Sequence, residues 1–124
     1  MTKEDYTDCR ALARRVRQHC LRMVHGGRSG HIGSMLSMAE ILATLYLRVL
    51  KVDPADPKKP DRDRLILSKG HGCAGLYAVL AECGFFPVEW LESFYHDGAR
   101  LAGHATCGPP GSPPRAPWRP RWPW

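Results

Sequence analysis

The sequence predicts a small α/β unit, helix-rich with few parallel strands, and three observations predict it. Apolar residues recur at three-to-four spacing in several stretches, one short continuous apolar run lies between a proline-rich and a glycine-rich break, and periodicity disappears after Cys107. A chain of 124 residues with 44% hydrophobic content suits one domain with a modest core. The expected division is a folded part over 1–107 and a Pro/Arg/Trp-rich tail over 108–124, disordered or out of frame.

Leu12, Val16, Cys20 and Met23 space the buried face of a first helix, opened by a variant capping box of Thr2 and Asp5. Its arginines Arg14, Arg15, Arg17 and Arg22 read as a solvated face. Glycines from Gly26 to Gly33 break it. Ser37 and Glu40 form a capping pair for a second helix running to about Leu50, with Ile41, Leu42, Leu45, Tyr46 and Val49 inward. Asp53 to Pro60 is an extended connector, because each proline also disfavours helix in the residue before it. Leu65-Ile66-Leu67 predicts a strand buried on both faces. A third helix is expected over about His71–Cys83, stopped by Gly84, and Pro87 opens a short fourth with Trp90, Leu91 and Phe94.

Composition narrows the classes of function. The longest apolar run, Ile41 to Leu47, is short of the roughly 20 residues of a spanning helix, so no membrane segment is expected. Acids among the first residues and the lack of an apolar leader core favour a cytoplasmic address. Cys9, Cys20, Cys73, Cys83 and Cys107 include no Cys-x-x-Cys pair and no short Cys/His ligand spacing, which predicts free thiols and no metal site. The net charge of +6 suits any phosphorylated partner; three of its arginines, Arg115, Arg119 and Arg121, fall in the acid-free tail.

The best local site is the junction after Leu65-Ile66-Leu67. There Gly70 lets a ligand approach the backbone and His71 stands in the first turn of a helix, where anions are favoured. The same pattern equally describes a surface histidine acting as a cap. His31, between Gly30 and Gly33, and His104, after Gly103, can each project into a cleft or simply face solvent. His19, His25 and His96 have no supporting context. No carboxylate pair, nucleophile elbow or phosphate-binding P-loop is present.

Ser29-Gly30-His31-Ile32-Gly33, then Asp61-Arg62-Asp63-Arg64-Leu65-Ile66-Leu67-Ser68-Lys69-Gly70-His71, then Gly103-His104 together resemble, in order and spacing, the N-terminal part of transketolases. Ser68-Lys69-Gly70-His71 with Gly84-Phe85-Phe86-Pro87 is most similar in style to the N-terminal subunit of two-chain transketolases. The resemblance implies a diphosphate-binding domain with a parallel sheet flanked by helices. It also implies thiamine diphosphate with Mg2+ as cofactor and transfer of a two-carbon ketol unit between sugar phosphates. By motif match His71 contacts cofactor phosphate and substrate beside Gly70, and His31 and His104 hydrogen-bond the donor's hydroxyl and carbonyl groups. The implied partners are a C-terminal transketolase subunit or pyrimidine-binding domain, in a homo- or hetero-oligomer.

Two departures concern these loops: Ile32 stands where the family has proline, and Ala105 follows the third histidine in place of another. The family's Gly-Asp-Gly metal signature, its downstream asparagine and the partner's glutamate have no counterpart before Trp124. The resemblance therefore implies an N-terminal fragment, inactive alone, whose metal ligands lie elsewhere. The tail begins where the family carries a Gly-(Pro/Ser)-Leu-Gly-x-Gly loop. A one-nucleotide shift across Arg115 to Trp118 permits Gly, Pro or Ser, and Leu, the mark of an out-of-frame end. The competing reading is a basic nucleic-acid or protein-interaction module using the Arg/Trp/Pro-rich tail.

Overall fold

The computed structural model describes residues 2–28 and 30–103. Three α-helices pack on one another: α1 over Lys3–Gly27, α2 over Ile32–Thr44 and α3 over Cys73–Glu82. A π turn over Leu45–Val49 continues α2, a 3-10 turn over Gly70–Gly72 leads into α3, and a 3-10 segment over Val88–Ser93 closes the core.

The start of α1 follows the sequence expectation. Thr2 Oγ1 accepts from the Asp5 N–H at 3.2 Å, and Asp5 Oδ2 accepts from the Thr2 N–H at 2.7 Å. These bonds, with nearby Arg48, hold the Asp5 carboxyl below its ordinary value. The helix ends past its glycine pair, with Arg28 in the left-handed region at φ 49° and its N–H on the His25 carbonyl. Leu12, Val16, Cys20 and Met23 are buried as their spacing predicts.

For α2 the start moves. Ile32, not Ser37, opens the helix, His31 takes the N-cap position, and the Ser37 hydroxyl donates to the Ser34 carbonyl at 3.0 Å. The inward stripe is Met35, Met38, Ala39 and Leu42, whereas Ile41 is exposed on the opposite side. Val49, expected inward, is also exposed. The π turn inserts one extra residue, which rotates everything beyond it by about 100° from the 3.6-residue register. Ile32–Val49 thus forms one 18-residue helix with mean hydropathy 1.3, long and apolar enough to cross a membrane, unlike the shorter run counted in the sequence. Its buried stripe instead packs in the core with α1 and α3.

Leu65-Ile66-Leu67 lies in a stretch without regular secondary structure, and among the described residues no strand is present. The α/β expectation is corrected to a helical unit for these residues. A parallel strand exists only through hydrogen bonds to a neighbour. Without such a partner among the described residues, Leu65 and Leu67 pack against the core and Ile66 is exposed. The connector before it is closed by a reciprocal pair: Lys51 N donates to Asp63 Oδ2 at 2.7 Å, and Asp63 N to the Lys51 carbonyl at 3.0 Å.

α3 is shorter than expected because Gly70–Gly72, with His71 at its centre, is a 3-10 turn. Gly84, at φ 85°, stops the helix where the sequence placed the stop. The fourth helix is 3-10 in place of α, with Pro87 at its N-cap. Leu91 and Phe94 still reach the core, and Phe86 stacks on Trp90 at 5.4 Å. Cys9 and Cys20 are free and buried, and burial pushes the Cys20 thiol up to about 12. The tail and Cys107 lie outside the described residues.

Polar contacts fasten the helix faces. Glu82 at the end of α3 accepts from Arg15 Nε and meets His19 Nε2, each at 2.7 Å, so His19 is a structural residue that the sequence did not single out. Burial pushes the Glu82 carboxyl up, but the His19 and Arg15 hydrogen bonds and charges together outweigh it and the net shift is downward. Arg17 pairs with Glu40 across α1 and α2, and Arg48 reaches both Asp5 and Asp8.

A carboxyl with a lowered folded-state value stabilises the fold above its unfolded value and loses that contribution as pH falls through the folded one. Stability measured by urea denaturation is therefore expected to fall as pH drops below the ordinary value of 4.5 for Glu82. Glu82→Gln is expected to cost about 1–2 kcal/mol at neutral pH and to flatten that acid dependence.

Candidate functional site

The two glycine-flanked histidines, 40 residues apart, meet. The rings of His31 and His71 approach edge-on with centroids 4.9 Å apart and planes at 62°. His31 sits at the N-cap of α2, His71 in the turn that opens onto α3, so the N-termini of both helices come to one end of the molecule. No protein group among the described residues hydrogen-bonds either ring. His31 is exposed and His71 half-buried.

Close packing beneath the rings sets this geometry. A Cβ on Gly72 would lie 3.0 Å from Met38 Cε, and one on Gly75 would lie 3.4 Å from Leu42 Cδ1, so α3 begins directly on the face of α2. Gly30 adopts φ 137°, and a Cβ there would come within 2.8 Å of Val24 Cγ2 and 3.2 Å of Met35 Cε. Met35 and Met38 are the supporting residues that sequence reasoning missed. The signal was present in the spacing Ile32, Met35, Ala39 and Leu42, which extends the apolar stripe upstream of the Ser37 capping pair.

Gly70 stands in the turn, with its N–H on the Ser68 carbonyl at 3.0 Å; the Gly72 N–H meets the Lys69 carbonyl at 2.9 Å. The segment before the third histidine is tied to α3. Tyr77 donates to the Ala102 carbonyl at 3.0 Å, and Cys73 Sγ to that of Gly103 at 2.9 Å. Arg100 lies over the Trp90 ring at 4.4 Å. His104 itself lies outside the described residues, so the structure joins two of the three predicted histidines and brings the chain before the third to α3.

Two shallow hollows, of about 230 Å³ beside Lys51 and Arg62 and about 220 Å³ beside His19 and Glu92, lie away from the histidine pair. The pair itself is an open surface of two imidazoles, without hydrogen-bond partners among the described residues, at convergent helix N-termini. That chemistry fits the oxygen-rich end of an anionic or hydroxylated ligand. Among the described residues no cluster of three or more His, Cys, Asp or Glu side chains could hold a metal.

The described residues form a helical unit that brings two imidazoles and the N-termini of two helices together. The comparisons give its family. Residues 9–110 match the family model described as transketolase, thiamine diphosphate binding domain, and the chain belongs to that family. It is 52% identical over 75 residues to a 6-deoxy-6-sulfo-D-fructose transketolase subunit of Clostridium sp. (strain MSTE9), covering 60% of this chain and 27% of that relative. It is 40% identical over 99 residues to a transketolase of Cereibacter sphaeroides, covering 78% and 15%. The solved transketolase from Leishmania mexicana superposes with a TM-score of 0.74 at 39% identity, over 77% of this chain and 14% of that one. The chain thus spans between about a seventh and a quarter of these relatives' lengths.

Gly30→Ala is expected to lower stability by about 1–3 kcal/mol, because it combines a left-handed φ with a contact too close for a Cβ. Thermal denaturation measures the loss, and the cross-relaxation between the His31 and His71 ring protons should disappear with it.

Proposed function

We propose that this chain supplies the diphosphate-side histidines of a thiamine-diphosphate enzyme that moves a two-carbon ketol unit between sugar phosphates. The observation that carries the reading is the approach of His31 to His71, with neither ring hydrogen-bonded to any described residue. When bound, thiamine diphosphate supplies a carbanion at its thiazolium ring.

The chain's own residues bind and orient. His71, at the head of α3, donates a ring N–H to a phosphate oxygen of the cofactor or to substrate, with Gly70 keeping the backbone beside it uncrowded. His31 hydrogen-bonds a donor-sugar hydroxyl, and His104 the donor carbonyl; a neutral imidazole with one N–H and one free nitrogen can hold or release a proton at those atoms. Because the rings sit at the starts of two helices packed through Met35, Met38, Gly72 and Gly75, their separation is set before ligand arrives.

Mg2+ and the pyrimidine half of the cofactor require ligands from further chain or from a partner. Two relatives, 51% identical in Actinobacillus succinogenes and 37% in Phocaeicola vulgatus, are each named as one of the lettered subunits of an apulose-4-phosphate transketolase, which supports a C-terminal subunit in that role. The chain by itself is proposed to be inactive, and the reaction's phosphorylated sugars suit a cytoplasmic setting.

In an NMR titration, millimolar thiamine diphosphate is expected to shift the ring C–H signals of His31 and His71, and His71→Asn should abolish the His31 shift as well. Unmoved rings at saturating cofactor would remove the basis of the reading. Calorimetry with Mg2+ present is expected to give no submillimolar affinity, and ketol transfer should appear only when a C-terminal subunit is added; turnover by the chain alone would refute its dependence on a partner.

A further inference from the structure

The stretch from Cys9 to Ala39 contains no acid and has arginine as its basic side chain at positions 10, 14, 15, 17, 22 and 28, with no lysine. Four carboxylates on or beside α1 are committed to cations, while Glu4 stands in its exposed first turn. Glu82 is held by Arg15 and His19, Glu40 by Arg17, and Asp5 and Asp8 by Arg48. Arg10, Arg14 and Arg22 are left exposed with no ion pair among the described residues, although Arg10 acts on Glu40 from a distance and Arg22 shares a hollow with Glu92.

Their placement is ordered. At 1.5 Å of rise per residue, Arg10 and Arg14 stand about 6 Å apart along the helix and Arg14 and Arg22 about 12 Å apart, on the side away from the core face of Leu12, Val16 and Met23. Exposed Leu21 and His25 lie on the same side, with Tyr6 one turn before Arg10.

We propose that this side of α1 binds single-stranded nucleic acid without sequence preference. Guanidinium groups match phosphate oxygens two at a time, and a phosphodiester backbone is an anion long enough to meet three of them at those spacings. The apolar and ring surfaces interleaved with the arginines favour a single strand over a duplex, since unstacked bases can lie against Leu21, His25 and Tyr6. The surface lies on the opposite flank of α1 from its core contacts. It is independent of the histidine pair and of the ketol-transfer reading.

The test uses the full chain and a fluorescein-labelled oligo-dT of about 20 nucleotides, read by anisotropy, with three phosphate contacts giving a log–log salt slope of about −2. The triple variant R10Q/R14Q/R22Q is expected to weaken binding at least tenfold at low salt and to flatten the slope towards zero. R115Q/R119Q/R121Q is expected to stay within about twofold of the parent. Far-UV circular dichroism checks that the helix content of each variant is unchanged, and R14Q alone should give an intermediate loss if the triple variant misfolds. Loss of binding in the tail variant with retention in the helix variant would overturn the proposal. So would a slope near zero in the parent, equal binding of a duplex of the same length, or equal competition by polyglutamate.

Discussion

The close approach of α3 to α2 at Gly72 and Gly75 is the constraint on which the rest of the structure depends. With no side chain at either position, Met38 and Leu42 come against the α3 backbone, and the turn carrying His71 is set down beside the N-cap of α2. A Cβ at Gly72 would meet the end of the flexible Met38 side chain at 3.0 Å, so larger residues there would displace the turn by moving its floor. Gly30 plays the corresponding part on the α2 side, where Val24 and Met35 leave no room and φ is positive. The site is therefore a product of helix packing, its two rings held at the edge of one small core.

Electrostatics then divides the surface of α1 into two functions. Where its arginines face α2 or α3 they find Glu40 and Glu82 and clasp the bundle, with Glu82 half-shielded from solvent and shared by Arg15 and His19. Where they face away, Arg10, Arg14 and Arg22 make no ion pair among the described residues, and Arg48 takes up Asp5 and Asp8. Repulsion among unpaired cations costs a fold little when solvent and salt screen it, and it leaves a surface that a polyanion can neutralise.

Legibility varied with the range of the interaction. The capping box of Thr2 and Asp5, the stripe Leu12, Val16, Cys20 and Met23, and the stop at Gly84 were readable because neighbours within one turn of chain decide them. The start of α2 was misread at Ser37, since a good local cap competes with an upstream stripe whose value depends on α3 being there to bury Met35 and Met38. Ile41 and Val49 failed for related reasons: the real stripe lies on another side, and a π turn shifts register in a way no 3.6-residue pattern records. Leu65-Ile66-Leu67 has strand composition, yet a strand is a relation between segments, and no described segment answers it.

By itself the sequence determined where helices could form, that Cys9 and Cys20 would be free thiols, and which glycine-flanked histidines deserved notice, because propensity, capping and motif spacing act over a few residues. Only the tertiary structure decided that His31 and His71 stand 4.9 Å apart, that His19 serves the Glu82 clasp, and which arginines remain unpaired. Those outcomes depend on distances between residues far apart in the chain, and such distances are set by which side chains can be buried together.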